Sequence, residues 1–192
     1  MVTLPDKAAL LARVKPHRSG WALSRKPQIE PVGPGEESVW DFPRPPAVEP
    51  VGKRLCVTFA GRTIADTSRG FRVVETAGAP VYHFPPEDVA MDALVPTGRI
   101  TVCEWKGAAT YFDIVVGERR SEEAAYTYPD PFDDLSQNYA AIGGMIVFYA
   151  GRVDEATIDG ERVAPQPGGY YSGWVTANLK GPIKGAPGSE GW

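Results

Sequence analysis

The sequence predicts a mainly β protein, a compact single domain with few short helices and long N- and C-terminal arms. Three observations carry this. From Arg54 onward, short runs rich in β-branched and aromatic residues follow one another, several in strict alternation. Tight-turn signals separate them. The clearest is Asp159-Gly160, which suits a type I′ hairpin. Gly at 21 and Pro at 19 of 192 residues leave little room for long helices, while an apolar share of 43% suffices for one core.

Residues 1–43 read as an arm. Asp6 caps a short helix over residues 7–14, with Ala8, Leu11 and Ala12 at helical spacing and Pro16 as its stop. Arg18, Arg25 and Lys26, with Trp21 between, read as a solvated basic stretch. Residues 38–46 are proline-rich and extended, and Trp40 and Phe42 are expected to lie on the main sheet.

Residues 44–164 form the β domain. Leu55, Val57 and Phe59 alternate with Cys56 and Thr58. Strands follow at 63–66, 71–75 and 81–84, then a helical turn at Pro85-Pro86-Glu87-Asp88. Met91, Leu94 and Val95 are expected to pack inward. Later come a strand at 124–128, a helical turn at 132–135 and an apolar strand at 142–149, covered on both faces. Residues 165–192 are a Gly-, Pro- and aromatic-rich tail. Tyr170, Tyr171, Trp174 and Trp192 dock it on the domain, with a strand over 171–179.

The richest chemistry lies in Thr101 to Val116. Two arms, 100–105 and 110–116, flank Lys106-Gly107-Ala108-Ala109. Placing Trp105 opposite Thr110 puts Cys103, Trp105, Phe112 and Ile114 on a core face. Glu104, Tyr111 and Asp113 then share the other face, with Lys106 at its edge. That second face is either a solvated surface with weak ion pairs, each a few tenths to ~1 kcal/mol, or a binding pocket. The aromatic residues around it favour the pocket.

Several function classes fall away. A net charge of −4 gives no nucleic-acid surface. No apolar run is long enough to span a bilayer, and the first residues lack a secretory apolar region. The expectation is a soluble, cytoplasmic protein with no membrane partner. Cys56 and Cys103 make neither a zinc framework nor a disulfide scaffold, so no metal is expected. Neither a Walker loop nor a dinucleotide fingerprint is present, so no cofactor is expected. Asp133 and Asp134 are adjacent and would diverge on a strand, which disfavours two-metal phosphoryl chemistry.

A set of motifs, in order, resembles one family: Arg44-Pro45-Pro46, Glu49-Pro50, Ile64-Ala65-Asp66, Val74-Glu75-Thr76, Pro80-Val81-Tyr82, the run from Phe84 to Val89, Cys103 with Lys106-Gly107, Tyr111, Tyr128-Pro129 and Val147-Phe148-Tyr149. The family is domain-of-unknown-function family 427, and the likeness covers roughly residues 44–163. The two arms look like those of a longer, actinobacterial-type version. The resemblance implies a Mss4-like, or β-tent, fold. Relatives of that architecture include zinc-ribbon domains and modules that hold ligands in aromatic cages. The zinc ligands of those relatives are absent here. The family is sometimes labelled nucleotidyltransferase. It usually has proline after the motif cysteine, where this chain has Glu104.

Lys106 and Glu75, both in these motifs, are the leading charged candidates. A lysine in a partly apolar pocket serves as a base, a nucleophile or a point charge for an anion. Glu75 would orient it or accept a hydrogen bond. Tyr82, Tyr111, Tyr126 and Tyr128 would supply walls and hydroxyls, and Arg44 stands in the first motif. Opposed to this is a buried Lys–Glu pair with a purely structural role. Cys103 and His83 read as packing residues. Three functional readings result. The first is a module binding a small polar or anionic metabolite. The second is an enzyme using Lys106 with Glu75 or a tyrosine, with nucleotidyl or phosphoryl transfer as a variant and no catalytic residue assigned. The third is a self-associating module forming a homo-oligomer through its arms.

Overall fold

Alternating sequence becomes antiparallel sheet. The chain was analysed as a computed structural model, which describes residues 3–18, 27–190 and 192. After helix α1 (Lys7–Arg18) come short strands β1 (Glu37–Ser38), β2 (Ala47–Pro50), β3 (Leu55–Phe59), β4 (Arg62–Thr67), β5 (Phe71–Val74) and β6 (Val81–Phe84). Three long strands follow, β7 (Leu94–Cys103), β8 (Gly107–Val116) and β9 (Arg119–Thr127). The remainder are β10 (Ile146–Phe148), β11 (Glu155–Ile158), β12 (Glu161–Arg162), β13 (Ala164–Pro165), β14 (Trp174–Val175) and β15 (Leu179–Lys180).

Seven strands form one antiparallel sheet in the order β2-β5-β6-β10-β9-β8-β7. Four form a second, β12-β11-β3-β4. The main core lies between them. Leu55, Val57 and Phe59 of β3 meet Phe84, Ile114, Ile146 and Phe148 from the larger sheet. Period-2 geometry then sends Val81, Tyr111, Tyr126 and Val147 to that sheet's opposite face, where they form a separate cluster. The sheet therefore has a packed face and a tyrosine-rich face.

The arms cover what the sheets leave open. Asp6 caps α1, accepting from Ala9 N–H at 2.8 Å. The helix runs on to Arg18 with Pro16 inside it, past the expected stop. Its far end is held by Arg18, which bonds Asp134 at 2.7 Å and the Glu104 carbonyl at 2.6 Å, so the lost backbone bond is tolerated. Leu10 and Val14 are its buried positions and pack on Ala108 and Phe132. Arg18 is thus no solvated arm residue. Trp21, Arg25 and Lys26 lie outside the described residues. Trp40 packs against Trp192 and donates to the Pro182 carbonyl at 2.9 Å.

Other local expectations change. Met91 and Val95 are exposed rather than inward, while Leu94 is buried. Residues 132–135 form no helical turn. Only Ile146–Phe148 of the apolar run is strand, and Ile142 ends a 3-10 turn. The tail has two short strands where one long one was expected, because a turn closed by Leu179 N–H to the Thr176 carbonyl, 3.1 Å, separates them. Trp174 is fully buried between Tyr82 and Phe84 and donates to the Phe148 carbonyl at 3.0 Å. Trp174→Ala should therefore cost about 4 kcal/mol in urea unfolding.

Candidate functional site

Strand register builds the wall of the site. Tyr111 of β8 pairs with Tyr126 of β9, and Val147 of β10 pairs with Tyr126 from the other side. Tyr128 and Tyr149 follow two residues beyond Tyr126 and Val147, so they reach the same face. Tyr126 is the hub. Its ring centroid lies 5.6 Å from Tyr111, 5.7 Å from Tyr128 and 5.6 Å from Tyr149. Burial pushes the phenols of Tyr126, Tyr128 and Tyr149 upward, so they are neutral hydroxyls at pH 7.

Against this wall lies a cavity of about 380 Å³. The tail roofs it with Gln166, Tyr171, Ser172 and Lys184. Two hydrogen bonds tie roof to body. The Tyr126 hydroxyl and Ser172 Oγ are 2.8 Å apart, and the Gln166 side chain accepts from Ala79 N–H at 3.0 Å.

Lys106 enters from the hairpin end. β7 and β8 pair Ile100 with Thr110 and Cys103 with Gly107, so Glu104-Trp105-Lys106 is the turn. Gly107 takes φ +98°, which closes this turn. Trp105 is buried, with the Arg18 and Arg44 guanidiniums 5.5 and 5.9 Å from its ring. Those two contacts and the Phe132 N–H bond to the Lys106 carbonyl, 3.2 Å, hold the turn from which Lys106 extends.

The cavity's charge is unbalanced. Lys106 is 7% exposed and forms no ion pair among the described residues, and its ammonium lies 5.6 Å from the Tyr128 ring. Burial pulls its pKa down, but Cys103, Glu75 and Tyr139 together hold it above the ordinary value. Tyr139 is itself pushed up by burial and is neutral at pH 7, so its share of that support is absent there. Glu75 is occupied elsewhere, by Arg44 at 3.1 Å and Lys184 at 3.8 Å. Burial pulls the Lys184 ammonium below its usual value; Glu75 opposes this, while Arg44 and Lys106 add to it. At the mouth, Arg99 lies 4.8 Å over Tyr111 and Arg152 lies 4.4 Å over Tyr149. Arg99 is paired with Glu123.

Six residues singled out from sequence line this one cavity: Lys106, Glu75, Tyr111, Tyr126, Tyr128 and Arg44. Tyr82 does not. It is one residue on from Val81, hence on the packed face, with its ring 5.1 Å from Trp174. Glu75 pairs with Arg44 and Lys184 instead of Lys106. Cys103 is the main reversal. The expected register put it on the core face, but it lines the cavity beside Tyr128 and Lys106. The expected turn began two residues late. It was also four residues long where the real turn has three, and that odd difference inverted the parity of the first arm against the second. Lys184, Arg99, Arg152 and Tyr149 were not singled out, because their placement depends on the tail and on strand order.

Residues 47–159 match the model of a family described as Domain of unknown function (DUF427), and the chain belongs to that family. No curated protein matches it. Glu75, Lys106 and the four clustered tyrosines fall inside the matched span. Arg44 and the roof residues Gln166, Tyr171, Ser172 and Lys184 fall outside it.

His83 is completely buried on the face shared by Val81, and neither ring nitrogen has a partner among the described residues. Burial first, then the Lys106 ammonium, lower its pKa to about 3. The unfolded chain takes up the proton near pH 6.5, so stability from this group is complete above that pH and is lost as pH falls toward 3. Relative to wild type, His83→Leu should gain about 2.5 kcal/mol between pH 7 and pH 4.5 in urea unfolding.

Proposed function

We propose that the protein binds a small anionic metabolite in this cavity, with the anion at Lys106 and the remainder of the molecule on the tyrosine wall. The observation that carries this reading is the Lys106 ammonium: more than nine-tenths buried, facing the cavity and without an ion pair among the described residues. A buried charge in that condition is costly unless an anion joins it. Neutral phenols beside it supply hydrogen bonds to the same anion, and their rings supply an apolar surface for stacking. A cavity of this size suits a small molecule. No nucleic-acid partner belongs to this reading.

In the same proposal the protein works in the cytoplasm. Among the described residues no helix is long and apolar enough to cross a membrane. The proposal also assigns the fold to the Mss4-like kind, with the two antiparallel sheets sharing one core as its support.

A panel of small carboxylates and phosphates, screened by thermal shift and followed by calorimetry, tests the binding. At least one should raise the melting temperature of wild type. Lys106→Ala should bind it at least tenfold more weakly, about 1.4 kcal/mol or more, while remaining folded. Equal affinity in the two proteins would remove Lys106 from the site.

A further inference from the structure

The turn that delivers Lys106 also delivers Cys103 and Glu104 to the cavity wall. Cys103 is half-buried and brings a thiol to a wall that also carries phenols, cations and the carboxylates Glu75 and Glu104. Its Sγ–H points to Glu104 Oε2 at 3.9 Å. It lines the same cavity as the Lys106 ammonium and Tyr128. A sulfur nucleophile needs a proton acceptor, a nearby positive charge and an open approach. Glu104, Lys106 and the cavity supply these three.

We propose that Cys103 is a nucleophile inside the cavity, taking a small anionic molecule that carries an electrophilic carbon with a leaving group. The proposal rests on the anion-binding reading above and extends it to chemistry. The buried ammonium holds the substrate's anionic group and places the carbon against Sγ. Sγ attacks, one S–C bond forms, and the thiol proton passes to the Glu104 carboxylate. The bond from carbon to leaving group breaks, and the leaving group departs with the electron pair. Glu104 returns the proton to it or to water. No electrons are exchanged with an outside oxidant or reductant.

Cys56 is the internal control. It is also half-buried, but it sits on β3 outside this cavity. Burial pushes its thiol up, and the Asp66 and Glu155 carboxylates add to that while Arg54 opposes it. Its surroundings disfavour both a charged sulfur and an anionic reagent.

The test compares iodoacetate with iodoacetamide on the folded, full chain at pH 7.5, with labelling rates at each cysteine read by peptide mass spectrometry. Iodoacetate is the minimal probe of the proposed class: a carboxylate, an electrophilic carbon and iodide as leaving group. Its rate relative to iodoacetamide should be at least tenfold higher at Cys103 than at Cys56. Lys106→Met should abolish that preference while leaving both rates at Cys56 unchanged, which also reports an intact fold. Glu104→Gln should slow both reagents at Cys103 several-fold. If neither reagent labels Cys103 faster than Cys56, the thiol proposal is overturned, whatever the fate of the binding reading. If iodoacetamide labels Cys103 readily but iodoacetate has no advantage, anion selection by Lys106 is overturned with it.

Discussion

The carboxylates Glu75 and Glu104 stand among the cations Arg44, Arg99, Lys106, Arg152 and Lys184 around one cavity of this protein, and the rest of the site is arranged in relation to that imbalance. Glu75 is bonded to Arg44 and to Lys184, and Lys106 is left with its influence but not its contact. In bulk water such an arrangement would mean little. Behind a layer of tyrosines, where charges interact more strongly, it makes an electropositive chamber. The roof reinforces this, since Lys184 comes from the tail and Arg44 from the segment before the matched family span.

The chamber depends on a sheet with two unlike faces. Strands β6, β10, β9, β8 and β7 of the large sheet send one set of side chains into the hydrocarbon core and the other into the tyrosine cluster. The tyrosines pack edge-on or tilted against one another, so the wall is rigid without being greasy. Arg18 and Arg44 both pack against the Trp105 ring, in the turn from which Lys106 extends. The N-terminal helix thus bears on the site although it contributes no wall residue.

Much of this was legible in the residues. Leu55, Val57 and Phe59 showed their burial by alternation, and Asp159-Gly160 showed its turn. Lys106, Tyr111 and Tyr128 were recognisable as a set because charge and aromatic rings coincide there. Cys103 was misplaced because register is set by where a turn closes, and Gly107, expected inside a loop ending at Ala109, begins the second arm opposite Cys103. Tyr82 was misassigned through a single step of parity. Lys184 and the roof could not be read locally, since Ser172 meets Tyr126 across 46 residues of chain and Gln166 meets Ala79 across 87, from a glycine-rich segment with no periodicity of its own.

The central claim is that Lys106 is a charge awaiting its counter-ion. Its most direct test is the unfolding free energy of Lys106→Met against wild type, both freed of small anions by unfolding, exchange and refolding. An apolar chain of similar length should stabilise the empty protein by about 1–3 kcal/mol, because it relieves an ammonium held out of water without a contacting carboxylate. A loss of stability on the same substitution would show that Lys106 is already satisfied within the fold, and would contradict the account.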